Sequence, residues 1–180
     1  KDEKIKISQI KDKEALLLEI KAYADALSSS DAKIASRALT NVLNSIKYYE
    51  LDFNDYAKAN NVRDKFMAED VKWISDFEKS KGNKMVLISG HNGHIAKSEK
   101  FYEPMGSHLK KIFGEKYFII GTDFYKGIVN INMAGPDNKR SNHVFVSADP
   151  LAYSARKFKG KYYLDFTKVK EGETFDLINK

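Results

Sequence analysis

The spacing of apolar residues changes once, near residue 84, and this change limits the folds open to the chain. Before it, apolar residues recur every three or four positions, as on one face of a helix. After it come short apolar runs bounded by glycines, Met85–Ile88 and Tyr117–Ile120, which are typical of strands buried on both faces. We therefore predict an α/β fold with a helical portion, residues 1–80, packed on a small, mostly parallel sheet within residues 84–166.

Helices and strands can be assigned from the same pattern. The three predicted N-terminal helices carry the apolar stripes Leu16, Leu17, Ile20, Tyr23, Ala24 and Leu27, then Ile34, Ala38, Leu39, Val42, Ile46 and Tyr49, and then Phe66, Met67, Trp73, Ile74 and Phe77. A serine-rich break at Ser28–Asp31 offers N-cap oxygens, and Gly82 is expected just beyond the third helix. The second part is expected to contain helices at Met105–Phe113 and Pro150–Lys159, strands at Ile128–Met133, Val144–Val146 and Tyr162–Phe166, and a turn at Gly135–Arg140.

Length and composition exclude several classes of protein. The 180 residues suit a single domain, 1–180, and 42% hydrophobic residues exclude a disordered chain. Without cysteine, disulfides and thiolate catalysis are excluded. No apolar run approaches the roughly 20 residues of a membrane span. The charged N-terminal sequence differs from a signal peptide, so we expect a cytoplasmic protein, with a removed leader left open.

The positive charge is unevenly distributed. Residues 1–80 carry 14 basic and 15 acidic side chains, net −1, whereas residues 81–160 carry 13 and 6, net +7, together with all four histidines. A nucleic-acid-binding protein would usually show a denser basic stripe or a docking motif, and we predict no nucleic-acid partner. The excess of positive charge in residues 81–160 either attracts an anion or keeps a surface solvated.

The sequence Ser89–His94, SGHNGH, is the strongest candidate for a functional site. It directly follows a predicted strand, where open α/β sheets place their ligand sites. His91 and His94 can act as acid, base or hydrogen-bond donor, and the Asn92 amide can orient an imidazole. The competing interpretation is a solvated loop in which one histidine caps a helix.

A metal site is the second interpretation of the two histidines. His-x-x-His can chelate, but zinc sites generally need a third protein ligand. The candidates His108, Glu103 and Asp123 have no spacing that selects one of them. We predict no metal and no cofactor. The alternative is a non-catalytic module in which His91 and His94 hold a metal, a haem or an anion.

Arg63 and Asp64 open the third predicted helix. A carboxylate there usually caps the helix and favours the positive end of its dipole. An arginine in a cleft could instead bind a carboxylate or stabilise a developing anion. Both interpretations remain open on the residues alone.

Four stretches together resemble the erythromycin esterase-like hydrolases. They are RDKFMAEDVKWI at 63–74, KMVLISGHNGHIAK at 84–97, MGSHLKKIFGEKYFIIGTDFYKG at 105–127 and, more weakly, DPLAYSARKFKGKYYLDF at 149–166. The resemblance implies a three-layer α/β/α fold and metal-independent hydrolysis of a carboxylic ester by histidine-activated water. The macrolide of the family's name has no pocket that this sequence reveals.

The resemblance also implies site residues. His91, His94 and Arg63 would be catalytic, and Asn92, Gly93 and Lys97 would contact a small-molecule ester. Asp70 stands where the family usually has asparagine. The family's Gly-Glu-x-x-His-Gly-type motif, with its general base, is absent, and no histidine precedes His91.

The missing motif suggests the central to C-terminal part of a longer enzyme. We therefore expect the chain alone to lack the full catalytic set, with an N-terminal half as a possible partner. A third hypothesis is an interaction domain completed by another chain.

Overall fold

The computed structural model describes residues 11–98, 101–132, 139–161, 163, 165 and 166. The predicted mixed α/β class is confirmed. The chain folds into two compact units, Lys1–Ile119 and Ile120–Lys180. The single-domain assignment stays a prediction.

The first unit contains five helices among its described residues. They are α1 (Lys11–Asp25), α2 (Ser30–Tyr49), α3 (Tyr56–Ser80), α4 (Asn92–Ile95) and α5 (Met105–Phe113), followed by a 3₁₀ turn at Gly114–Lys116. The predicted cap of α2 is confirmed, because the Ser29 hydroxyl accepts from the Ala32 N–H at 3.1 Å. Gly82 follows α3 with φ +92°, the left-handed conformation that glycine adopts freely.

In the first unit, α1 packs against α2, and α2 packs against α3. Arg37 of α2 forms an ion pair with Asp70 of α3 at 2.7 Å, and this contact holds α2 against α3. The predicted apolar face of α2 is wrong in part, since Ile34 and Val42 are 46% exposed. The buried face instead carries Ala32, Ser36 and Leu43, of which the first two are small residues that let the helices approach.

The two runs predicted as strands buried on both faces are not strands within the described part of the chain. Residues 84–90 and 117–121 form no ladder. Along the first run, Val86 and Ile88 are half-buried, whereas Met85 and Leu87 are 86% and 91% exposed. The prediction failed because only one side of the run is covered, by the core beneath it.

That core joins α3 to α5, and the predicted bounds of α5 are confirmed. Ala68, Met105 and Leu109 are 4% exposed or less and pack with Met67, Val71, Ile88, Ile95, Phe113 and Tyr117. Gly106 allows the closest approach, since a Cβ there would lie 2.1 Å from the carbonyl oxygen of Ile95. α5 therefore lies directly against the end of α4.

The second unit contains an antiparallel hairpin, β1 (Lys126–Asn132) paired with β2 (Arg140–Val146), in which Val129 faces His143. The mostly parallel sheet is not confirmed, since this is the one sheet among the described residues. The short helix α6 (Pro150–Ser154) begins at the Asp149 cap.

Much of the predicted turn at Gly135–Arg140, and much of the strand predicted at Tyr162–Phe166, fall outside the described residues. Among the helices that are described, none is long and apolar enough to cross a membrane.

Candidate functional site

Helix α3 begins at Tyr56, seven residues before Arg63, so the prediction that Arg63 and Asp64 open a helix is wrong. The N-cap is Asp55, which accepts from the Lys58 N–H at 3.0 Å. Consecutive residues within a helix point in different directions, and here Arg63 is exposed while Asp64 is 0% exposed. Asp64 is therefore a buried carboxylate, not a helix cap for α3.

His91 caps the short helix α4. Its Nδ1 accepts the Gly93 N–H at 3.1 Å, and its ring is exposed. The interpretation in which one histidine caps a helix therefore describes His91 correctly. Because Nδ1 is the acceptor, a neutral His91 carries its proton on Nε2 and presents a donor.

His94 connects the loop to α3. Its Nδ1 lies 2.9 Å from Asp64 Oδ2, and its Nε2 lies 3.1 Å from Arg63 Nη2. A guanidinium only donates, so Nε2 accepts and the ring proton lies on Nδ1, donated to Asp64. The three side chains form a hydrogen-bonded chain. The buried Asp64 carboxylate orients the His94 imidazole, and His94 in turn orients the exposed Arg63 guanidinium.

Asp64 has a second partner at the start of α5. Its Oδ2 also accepts the Met105 N–H at 2.9 Å, although the two residues are 41 positions apart. Pro104, at the N-cap position of α5, makes no capping bond. Asp64 thus serves as the cap of α5 from another helix, where a negative charge is favoured by the helix dipole. Its Oδ1 is buried and has no partner among the described residues.

Tyr102 lies beside the His94 imidazole and contacts a second tyrosine, Tyr56. The Tyr102 ring lies 6.4 Å from that of His94 and 6.3 Å, edge-on, from that of Tyr56. Burial raises the pKa of the Tyr102 phenol, and the Asp64 charge acts in the same direction. Tyr102 therefore keeps its proton and remains a hydrogen-bond donor at neutral pH.

The structure brings Arg63, His91 and His94 together, with the two imidazole rings 6.3 Å apart. Gly93 belongs to the same loop, since a Cβ on it would lie 3.2 Å from His91 Nδ1. Asn92 is exposed on the first turn of α4. Lys97 is exposed, and its Nζ lies 6.0 Å from the centre of the Tyr117 ring. We refer to Arg63, Asp64, His91, His94 and Tyr102 as the imidazole cluster.

The other histidines are engaged elsewhere. His108 Nδ1 lies 3.4 Å from Glu103, and His143 Nε2 lies 2.7 Å from the Ser141 hydroxyl in the hairpin. Across the described ranges, no three His, Cys, Asp or Glu side chains are arranged to hold a metal ion.

Sequence reasoning missed Asp64 and Tyr102. Asp64 was interpreted as a cap because the start of α3 was placed too late. The signal that could have identified it is its spacing from Ala68, since positions four apart share one face and Ala68 is 1% exposed. Tyr102 comes close to His94 only through tertiary packing, and nothing in its local sequence marks it.

Comparison with known families gives a single assignment. The model of the erythromycin esterase family matches residues 4–175, and the chain belongs to that family. The family is one of esterase-like hydrolases, so the chain is esterase-like at the family level. Neither the curated proteins nor the solved structures contain a significant match.

Proposed function

We propose that this chain acts in the metal-independent hydrolysis of a small carboxylic ester, with the imidazole cluster polarising the ester carbonyl. When water adds to an ester, negative charge develops on the carbonyl oxygen. Hydrogen-bond donors that are already oriented stabilise this charge without reorganising. The observation that carries the proposal is the series from Asp64 through His94 to Arg63.

In this proposal Arg63 binds the developing oxyanion. One of its N–H groups donates to His94 Nε2, and a guanidinium has further N–H donors in the same plane for a substrate oxygen. His94 holds the guanidinium in place and is in turn held by Asp64. His94 is thus proposed as a positioning residue in this geometry, acting through Arg63.

His91 is proposed as the second donor to the carbonyl. With Nδ1 accepting from Gly93, its Nε2–H is available to a ligand. The protonated Tyr102 phenol is a further donor beside His94. Asn92, Gly93 and Lys97 are proposed to contact the remainder of the ester. The excess of basic over acidic residues in 81–119, the part of the positive stretch that belongs to the first unit, favours an anionic product.

Activation of the attacking water requires a histidine nitrogen with a free lone pair. In the cluster, His91 Nδ1 and His94 Nε2 already accept hydrogen bonds, while the other nitrogen of each ring carries the proton. We therefore propose that the water-activating histidine lies outside the imidazole cluster. This agrees with the expectation that the chain alone lacks the full catalytic set.

Binding of a tetrahedral anion tests the carbonyl-polarising role. Phenyl methylphosphonate mimics the tetrahedral intermediate, and its affinity is measured by calorimetry. Arg63→Ala and His91→Ala should each weaken binding about tenfold, as expected for hydrogen bonds to a charged group. His143→Ala, in the other unit, is the matched control and should bind as the wild type does. Absent binding, or equal binding by all variants, would contradict the proposal.

Hydrolysis of p-nitrophenyl acetate tests where the base lies. The isolated 180-residue chain should not exceed the background rate. Turnover by the chain that disappears in His91→Ala would place water activation inside the cluster and overturn that part of the proposal.

A further inference from the structure

A second feature of the first unit lies outside the imidazole cluster and is independent of the proposed function. Residues 84–88 lie along the core in alternation, with Val86 and Ile88 half-buried. Met85 and Leu87, which alternate with them, are 86% and 91% exposed. We call residues 84–88 the open edge. Its alternation has the period of two of a strand in a sheet.

The backbone of the open edge has no ladder partner among the described residues. No hydrogen bond joins a backbone group of residues 84–88 to another described residue. The segment that follows α5 behaves similarly, because Phe118 is 66% exposed and the described residues offer its backbone no partner either. Extended backbone with unpaired N–H and C=O groups is a template for an added strand.

A cavity lies beside the open edge. It has a volume of about 400 Å³ and is lined by Asn83, Lys84, Met85 and Val86 on one side and by the end of α5, with Phe113 and Lys116, on another. Apolar and unpaired polar groups therefore line the same space. This combination suits a polypeptide strand, since side chains can fill the cavity while the main chain pairs with the edge.

The rim of the cavity is positively charged. Lys79, Lys84 and Lys116 all line it, all are exposed, and none has an ion-pair partner in the described part of the chain. Asp76, the one carboxylate that the described residues place on the rim, is already paired with Lys72 at 2.6 Å. An occupant with acidic residues at this end would be matched in charge.

We propose that the open edge binds an extended segment of a partner polypeptide, one with alternating apolar residues and acidic residues at the end that meets the cavity. The segment adds as a strand along residues 84–88 and covers Met85 and Leu87. Its carboxylates pair with Lys84 and Lys116. A second copy of this chain is a poorer occupant, because its own residues 84–88 include no carboxylate that could pair with the lysines of the rim.

Fluorescence anisotropy with a labelled probe peptide tests this proposal. The probe has about nine residues, near the upper end of strand lengths, with valine and threonine alternating after two glutamates. One control peptide has lysines in place of the glutamates, and another has proline in place of the central valine. The glutamate peptide should bind, the proline peptide should not, and the lysine peptide should bind about fivefold more weakly.

Charge reversal supplies a matched test in the protein. The double variant Lys84→Glu/Lys116→Glu should lose affinity for the glutamate peptide and gain it for the lysine peptide, which a merely unfolded variant would not do. Equal binding of the proline peptide, or no binding of any peptide, would overturn the proposal. A solution mass of two chains that returns to one in Leu87→Lys would assign the edge to a second copy, and would overturn it as well.

Discussion

The carboxylate of Asp64 lies 2.9 Å from the Nδ1 of His94, although 30 positions separate the two residues in the sequence. The same oxygen accepts the first amide of α5. One buried atom therefore connects α3, the histidine loop and α5. Both the stability of the first unit and the orientation of Arg63 depend on it.

Replacing Asp64 with asparagine should destabilise the protein. The buried site would lose its charge-assisted hydrogen bonds, and we expect Asp64→Asn to lower the free energy of unfolding by about 1–3 kcal/mol. Urea unfolding followed by the fluorescence of Trp73, the single tryptophan, measures the change. Asp76→Asn removes an exposed carboxylate from the same helix and should cost less than about 1 kcal/mol. Equal losses would contradict the role assigned to Asp64.

The two loop histidines should be opposite tautomers. His94 is expected with its proton on Nδ1, because Arg63 donates to Nε2, and His91 with its proton on Nε2, because Gly93 donates to Nδ1. Two-bond ¹H–¹⁵N correlation spectra at neutral pH distinguish the forms. Identical tautomers in the two rings would show that one of these hydrogen bonds is wrongly assigned.

Glycine at position 106 is required by packing. A Cβ there would lie 2.1 Å from the Ile95 carbonyl oxygen and 2.4 Å from that of Ala96, both backbone atoms. Gly106→Ala must push α5 away and should cost about 1–3 kcal/mol of stability. Gly121→Ala, where a Cβ meets nothing within 4 Å, should change stability by less than about 0.5 kcal/mol. Similar melting temperatures for the two variants would contradict this account.

Glu103 should make stability depend on pH in the acid range. A hydrogen bond from Lys111 lowers the pKa of Glu103 below its usual value of 4.5, and His108 acts in the same direction. Because the folded state holds the charged form, this stabilisation is present above pH 4.5 and is lost as the pH falls through the folded pKa. Glu103→Gln should therefore be less stable than the wild type at neutral pH and closer to it once the pH falls below the folded pKa. An unchanged difference in urea unfolding would contradict the prediction.

Local signals in the sequence predicted much of the fold. The cap of α2, the glycine after α3 and both ends of α5 follow from residues within a few positions, and all were located correctly. Burial was predicted less well. The run Met85–Ile88 is apolar on both sides, and periodicity alone cannot tell whether one or both sides are covered.

In the candidate site, too, local features were predicted from the sequence and long-range contacts were not. The grouping of His91 with His94 is local and was visible in the sequence, and the resemblance added Arg63. The partners of Asp64 lie 30 and 41 positions away, and such distances leave no mark in a single sequence. The error at Asp64 began with the start of α3, a boundary that sequence patterns define poorly.

The shared oxygen of Asp64 also links ligand binding to folding. A ligand that holds Arg63 tightens its bond to His94, and through Asp64 it restrains the amide of Met105. Opening of α5 must break the same bonds. An anion bound at Arg63 should therefore slow hydrogen exchange at Met105, on a helix that it does not touch, and would raise the stability of the whole first unit.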